Sequence, residues 1–73
     1  MTQPRTRPLI LNVDDNEAGR YAVTRDLRRK GYEVLDAATG REALELAASE
    51  QPDLVLLDVR LPDIDGFEVC RRL

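Results

Sequence analysis

Three short runs of apolar residues along the chain predict β-strands. Leu9–Val13 and Leu54–Leu57 are almost wholly apolar, whereas Glu33–Ala37 carries acidic residues among its apolar ones. Short apolar runs bounded by polar and turn-forming residues are typical of strands. The third run is apolar on both faces, which predicts the middle of a parallel sheet that is covered on both sides. The second run is less apolar, which favours a place nearer the edge of the sheet.

The polar segment between the first two runs predicts a helix. In residues 16–30 the apolar side chains of Val23 and Leu27 lie four positions apart, which is helical spacing. Asp15 or Asn16 can cap the start of this helix, and Gly31 follows directly on its last turn.

Two further helices are predicted from their boundaries. Thr39 stands three residues before Glu42, the arrangement of a capping box, in which each side chain satisfies a backbone donor at the helix start. The second helix ends before Pro52, because proline cannot continue a helix. Asp65, with Glu68 three residues later, predicts the start of a third helix near the end of the sequence. Alternating strands and helices predict an α/β fold with parallel strands and right-handed crossovers.

Length, charge and composition narrow the classes of function. The 73 residues suffice for one small domain, in which residues 1–8 are expected to form a flexible N-terminal tail and residues 9–73 the folded part. The net charge of −3 gives no reason to expect nucleic acid or an anionic membrane as a partner. The chain has no histidine, which removes the commonest general base and metal ligand.

Location can also be argued from the sequence. No apolar run approaches the roughly 20 residues that a membrane-spanning helix needs, and the N-terminus has no run long enough for a signal peptide. The single cysteine, Cys70, excludes an intramolecular disulfide and suits a reducing compartment, so we expect a cytoplasmic domain. Cys70 is interpreted as a small buried hydrophobe rather than a reactive thiol.

Three aspartates directly follow two of the predicted strands. Asp14 and Asp15 follow the first strand, and Asp58 follows the third. If those strands are parallel and adjacent, all three carboxylates emerge at the edge of the sheet where α/β folds bind ligands. Taken singly, Asp15 is explained as well by helix capping, and Asp58 is explained better as a turn residue. Acids after two apolar strands together favour a functional site.

The chemistry of such a cluster points to a cation. Each pair of carboxylates about 4 Å apart costs about 4 kcal/mol at an effective dielectric constant of about 20. Binding a cation relieves this repulsion, and a small set of oxygen ligands with room for water suits Mg²⁺. A carboxylate can also act as a nucleophile toward phosphorus and form an aspartyl phosphate.

These residues resemble a known family. The segment Val13–Asn16 (VDDN), followed by Leu56–Gly66 (LLDVRLPDIDG), resembles the receiver domain of the response regulators of bacterial two-component systems. Lys30–Val34 (KGYEV) and Ala38–Leu44 (ATGREAL) are also similar to that family. The resemblance implies a flavodoxin-like doubly wound parallel sheet, incomplete here, with three strands in the order 2-1-3 and about two and a half helices.

The resemblance also implies a function in a phosphorelay. Asp58 would be the phosphoacceptor, and Mg²⁺ would be held by Asp14, Asp15, Asp58 and the backbone carbonyl of Arg60. The phosphoryl donor would be a phosphohistidine on a histidine kinase or a phosphotransfer protein. The chain would then be a signalling switch rather than an enzyme, with self-phosphorylation as its only catalysis.

The 73 residues supply only part of that family's pattern. The complete sheet has the order 2-1-3-4-5, and the resemblance implies a hydroxyl residue after the fourth strand and a lysine after the fifth. Neither is present, because only the first three strands are predicted in these residues. The only lysine, Lys30, ends the first predicted helix. Impaired activity of this chain is therefore expected. The uncovered third strand also predicts self-association, since an open apolar edge can pair with another chain.

Two alternative functions remain open. A receiver-like module that binds other proteins without being phosphorylated would explain the missing hydroxyl and lysine, but not the three aspartates. A Mg²⁺-dependent phosphohydrolase of the dehalogenase type would also use an aspartate at a strand end. That family has a second acid two residues after its nucleophile, whereas Asp14 is followed two residues later by Asn16.

Overall fold

The first apolar run forms the central strand of a three-stranded sheet. The computed structural model describes residues 7–57 and 71–72 of the chain. Within them the elements follow in the predicted order: β1 Leu9–Val13, α1 Glu17–Arg29, β2 Glu33–Ala37, α2 Gly40–Glu50 and β3 Leu54–Leu57. The strands lie in the order β2-β1-β3, and both neighbouring pairs are parallel. The predicted α/β class and the 2-1-3 strand order are confirmed.

The places of the strands in the sheet differ in one respect from the expectation. All five residues of β1 are buried, and β2 lies at an edge as its composition predicts. Within the described residues β3 lies at the other edge, with Leu54 52% exposed, so the expected middle position of the third run is wrong for this part of the chain. The middle is taken by β1, which pairs with both of the other strands.

The two described helices pack on opposite faces of the sheet. Successive side chains of a strand point to opposite faces, so Leu11 and Val13 face one helix while Asn12 faces the other. On the first face, Leu11, Val13 and Ala37 form the hydrophobic core with Ala43 of α2. On the second face, the buried side chain of α1 is a threonine, Thr24, which lies on Asn12.

The first helix is capped as its sequence predicts, and the choice between the two candidate caps is settled. Asn16 is the N-cap, and its Oδ1 accepts a hydrogen bond from the backbone N–H of Gly19 over 2.8 Å. Lys30 is the C-cap and Gly31 follows with a φ of +96°, in the left-handed region that favours glycine.

The second helix starts with a modified capping box. Thr39 Oγ1 accepts a hydrogen bond from the N–H of Glu42 at 3.1 Å, as predicted. The carboxylate of Glu42 accepts from the N–H of Ala38 at 2.8 Å, one residue before the expected donor. The helix ends at Glu50, and its C-cap Gln51 has a φ of 49°, in the left-handed region directly before Pro52.

The predicted third helix falls almost entirely beyond what the structure describes. Its expected cap Asp65, its partner Glu68 and Cys70 lie outside the described residues, while Arg71 and Arg72 are helical. In the described ranges, neither helix has the length and hydropathy that crossing a bilayer requires.

Candidate functional site

The carboxyl ends of β1 and β3 meet at one edge of the sheet. Val13, the last residue of β1, is paired with Leu57, the last residue of β3. The residues that follow directly in the sequence are Asp14 and Asp58. Of the predicted site residues, Asp14 and Asp15 are described, whereas Asp58 and Arg60 lie outside the described residues.

The backbone of Asp14 is held on both sides. Its N–H donates to the carbonyl oxygen of Ala37 at 3.0 Å, which extends the ladder between β1 and β2 by one bond beyond the end of β1. Its carbonyl oxygen accepts a hydrogen bond from Nη1 of Arg20 at 2.8 Å. The turn that carries the two acids is therefore tied to β2 and to α1.

The two acidic side chains have different surroundings. Asp14 is half-buried, and its Oδ1 accepts a hydrogen bond from the N–H of Asn16 at 2.9 Å, while Asp15 is exposed. A Cβ at position 19 would lie 3.4 Å from the second oxygen of Asp14, Oδ2. A side chain at this position would therefore meet that oxygen at ordinary contact distance.

Among the residues that the structure describes, two clefts adjoin this turn. One of about 230 Å³ lies over the ends of β1 and β3 and is lined by Asn12, Val13, Asp14, Val23, Leu56 and Leu57. A larger cleft of about 680 Å³ lies on the β2 side of α1 and includes Asn16, Arg20, Tyr21 and Asp36. The smaller cleft brings Asp14 and Leu57 together, so it is the one at the predicted site.

A buried polar network between β1 and α1 lies next to the acidic turn. The pattern of residues along the chain did not predict it. The side-chain amide of Asn12 donates to the carbonyl oxygen of Arg20 and to Thr24 Oγ1, both at 3.1 Å. The hydroxyl of Thr24 donates in turn to the carboxylate of Asp36. A polar residue in an otherwise apolar strand was the only available signal, because its partners are eight and twelve positions away along the chain.

The described donors fit a magnesium ion. Asp14 and Asp15 supply carboxylate oxygens, the ligands that Mg²⁺ prefers, and the exposed position of Asp15 leaves room for the waters that the ion keeps. The guanidinium of Arg20 binds the carbonyl oxygen of Asp14 and not its carboxylate. Within residues 7–57 and 71–72 no three candidate ligands form a group, and the third predicted carboxylate, Asp58, is not among those residues.

The chain is similar to known proteins over most of its length. The model of the response regulator receiver domain family matches residues 10–73. The chain is 55% identical over 64 residues to response regulator MprA of Mycolicibacterium vanbaalenii, a match that covers 88% of this chain and 28% of that protein. It is 48% identical over 66 residues to the transcriptional regulatory protein AfsQ1 of Streptomyces coelicolor, covering 90% of this chain and 29% of that protein.

Solved structures give the same result for the fold. The structure of the chemotaxis response regulator CheY4 of Vibrio cholerae matches with a TM-score of 0.85 and 42% identity, covering 88% of this chain and 53% of that one. A response regulator of Chloroflexus aurantiacus matches with a TM-score of 0.88 and 40% identity, covering 92% of this chain and 55% of that one.

The chain belongs to the response regulator receiver domain family. Receiver domains of this family are switches of two-component signalling and not classical enzymes, and they interact with histidine kinases or phosphotransfer proteins. The chain spans less than a third of the curated relatives it matches and about half of the solved receiver chains.

Proposed function

We propose that this chain is the phosphoacceptor part of a phosphorelay. Asp58 takes a phosphoryl group from a histidine kinase or phosphotransfer protein, at a Mg²⁺ site formed by Asp14, Asp15, Asp58 and the carbonyl oxygen of Arg60. The observation that carries the proposal is the parallel pairing of Val13 with Leu57, after which each strand continues into an aspartate. Ligands of open α/β sheets bind at such strand ends.

The proposed transfer is a displacement at phosphorus. A carboxylate oxygen of Asp58 attacks the phosphorus of the phosphohistidine, a P–O bond forms, and the P–N bond breaks. The electron pair of that bond goes to the imidazole of the donor, which takes up a proton from water. A Mg²⁺ ion held by Asp14, Asp15 and Asp58 would neutralise charge on the phosphoryl oxygens.

The remaining residues of the turn serve this step by holding the acids. The hydrogen bond that the N–H of Asp14 donates to Ala37 and the one that its carbonyl accepts from Arg20 fix the point at which the chain leaves β1. The bond from the N–H of Asn16 fixes one oxygen of the Asp14 carboxylate. Fixed ligands lower the cost of organising the site at the moment of transfer.

The proposal is tested by intact-mass spectrometry after incubation with acetyl phosphate and Mg²⁺. We expect a gain of one phosphoryl group in the native chain and none in Asp58→Asn. Asp26→Asn, which removes an exposed carboxylate from α1, is the matched control and should gain the group. Equal gains in all three chains would contradict the proposal. No gain in any of them would mean that these 73 residues do not assemble the site by themselves, and the transfer would then be assigned to a longer parent chain.

Several narrower parts of the proposal rest on the sequence. Residues 1–8 are proposed to be a flexible tail, and residues 9–73 the receiver portion. The protein is proposed to be cytoplasmic. Its proposed partners are other proteins, and not nucleic acid or a membrane. Transfer by the 73 residues alone is proposed to be slow, because their single lysine, Lys30, caps the far end of α1 from the acids. Adding a longer parent chain to the mass experiment and comparing rates would test this.

We also propose that copies of the chain associate through the outer edge of β3. This edge is apolar, and Leu54 is 52% exposed. The edge of β2 is less suited, because it carries Glu33 and Asp36, and Arg28 donates a hydrogen bond to the carbonyl oxygen of Val34 at 3.0 Å. Charged residues and occupied backbone groups disfavour pairing at an edge.

Light scattering at micromolar concentration tests this association. We expect a dimer that Leu54→Lys converts to a monomer, whereas the matched change Tyr21→Lys, at an exposed residue of α1, leaves it dimeric. A monodisperse monomer of the native chain would contradict the association and would leave the phosphoacceptor proposal standing.

A further inference from the structure

We infer that Arg20 is a positioning residue for the metal site, set in place by the buried amide of Asn12. The inference rests on the proposed function, because the site that Arg20 orders is the one formed by Asp14 and Asp15. It concerns neither a metal ligand nor the phosphoacceptor, but a side chain that acts through the backbone of the acidic turn.

The hydrogen bond from Arg20 acts at the peptide that joins the two acids. Nη1 of Arg20 lies 2.8 Å from the carbonyl oxygen of Asp14, which belongs to the planar peptide leading into Asp15. Fixing that oxygen fixes the plane of the peptide, and with it the direction in which the exposed Asp15 leaves the turn. A hydrogen bond from a charged donor is stronger than one between neutral groups.

The position of Arg20 is itself fixed by the buried network. The amide of Asn12 bonds both the carbonyl oxygen of Arg20 and the hydroxyl of Thr24, so it holds two successive turns of α1 on β1. Asn12 and Thr24 are only 4% and 3% exposed, so the bond between their side chains is shielded from water. The two bonds from the Asn12 amide therefore determine where Arg20 lies relative to β1, and so the point from which its side chain extends to the turn.

The positive charge of Arg20 allows a positioning role to be distinguished from a simple electrostatic effect on Mg²⁺ binding. A guanidinium near a cation site weakens cation binding by repulsion, so removing it would tighten Mg²⁺ binding if charge alone mattered. If Arg20 orders the turn, its removal weakens binding instead. Partners that orient metal ligands typically contribute about ten-fold or more to metal affinity.

The experiment measures two quantities on the native chain, Arg20→Ala, Arg20→Lys and the control Arg25→Ala, which removes an exposed arginine of the same helix. The first is hydrogen exchange of the Asn16 amide without metal, since that amide bonds the Asp14 carboxylate. The second is the Mg²⁺ dissociation constant from amide chemical shifts. Arg20→Ala should speed exchange and raise the dissociation constant, each by about ten-fold.

The conservative variant separates positioning from loss of folding, and a variant at a second site tests the contribution of Asn12. Arg20→Lys retains a charged donor and should restore both quantities to within about three-fold of the native chain. Asn12→Leu removes the amide at similar volume and should change both in the same direction as Arg20→Ala. Native exchange of Asn16 in Arg20→Ala, or tighter Mg²⁺ binding by it, would overturn the inference. Absence of Mg²⁺ binding by the native chain would overturn the proposed metal site, while the exchange rates still decide the role of Arg20.

Discussion

Val13 and Leu57 lie side by side as the last paired residues of β1 and β3. Their side chains belong to the same face of the sheet, the one that packs against α2. Because a parallel ladder keeps its register, the pairing that ends with these two hydrophobic residues also determines where Asp14 leaves the sheet after β1. Packing of the core and placement of Asp14 are therefore consequences of one register.

Two glycines should respond in opposite ways to the same substitution. Gly31→Ala puts a Cβ on a residue with a φ of +96° and no neighbour within 4 Å, so its effect is that of backbone strain alone. We expect a loss of about 1–2 kcal/mol in the free energy of unfolding. Gly19→Ala lies in α1 at ordinary contact distance from Asp14 and Asn16 and should gain about 0.5 kcal/mol through helix propensity. Urea denaturation followed by circular dichroism measures both, and a loss in both variants would contradict this account.

The start of α2 offers a test of capping. Thr39→Ala removes the oxygen that accepts from the N–H of Glu42 and should lower the free energy of unfolding by about 1 kcal/mol. Thr39→Ser keeps that acceptor and should recover most of the loss. Glu42→Gln keeps an oxygen for the N–H of Ala38 and serves as the control for the other half of the modified box. Equal stability of the alanine and serine variants in thermal unfolding would show that the cap contributes nothing.

The network between β1 and α1 should behave as one unit. Thr24→Val leaves a donor of Asn12 without its partner, and Asn12→Leu removes both amide bonds, so each change should cost about 1–3 kcal/mol. The double variant should cost less than the sum, with a coupling energy of about 0.5–3 kcal/mol. Chemical denaturation of the four chains gives this energy. Additive effects, within about 0.3 kcal/mol, would mean that the two side chains act independently.

Much of the fold could be predicted from the sequence, because the signals for strands and helix ends are local. Apolar runs gave the three strands, and Asn16, Gly31 and Thr39 marked helix boundaries that the structure confirms. The burial of Thr24 could not be predicted from such local signals, because it depends on the contact between α1 and β1. The spacing of Val23 and Leu27 indicated a helix but did not single out Thr24, which is 3% exposed and bonded to Asn12, whereas Val23 is 38% exposed.

The site was predictable only as far as the acids themselves. Asp14 and Asp15 stood out because they follow an apolar strand, a signal that needs no tertiary information. The bond from Arg20 to the carbonyl of Asp14 depends on how α1 lies on the sheet, and no residue pattern encodes that placement. The bond from Arg28 to Val34 was missed for the same reason.

The measurement that tests the central claim most directly is to locate the phosphoryl group on the chain. After incubation with acetyl phosphate and Mg²⁺, borohydride reduces an aspartyl phosphate to homoserine, which peptide mass spectrometry assigns to a position. The account predicts homoserine at position 58 and its loss when Mg²⁺ is replaced by a chelator. Homoserine at Asp14, Asp53 or another aspartate, with Asp58 unmodified, would contradict it.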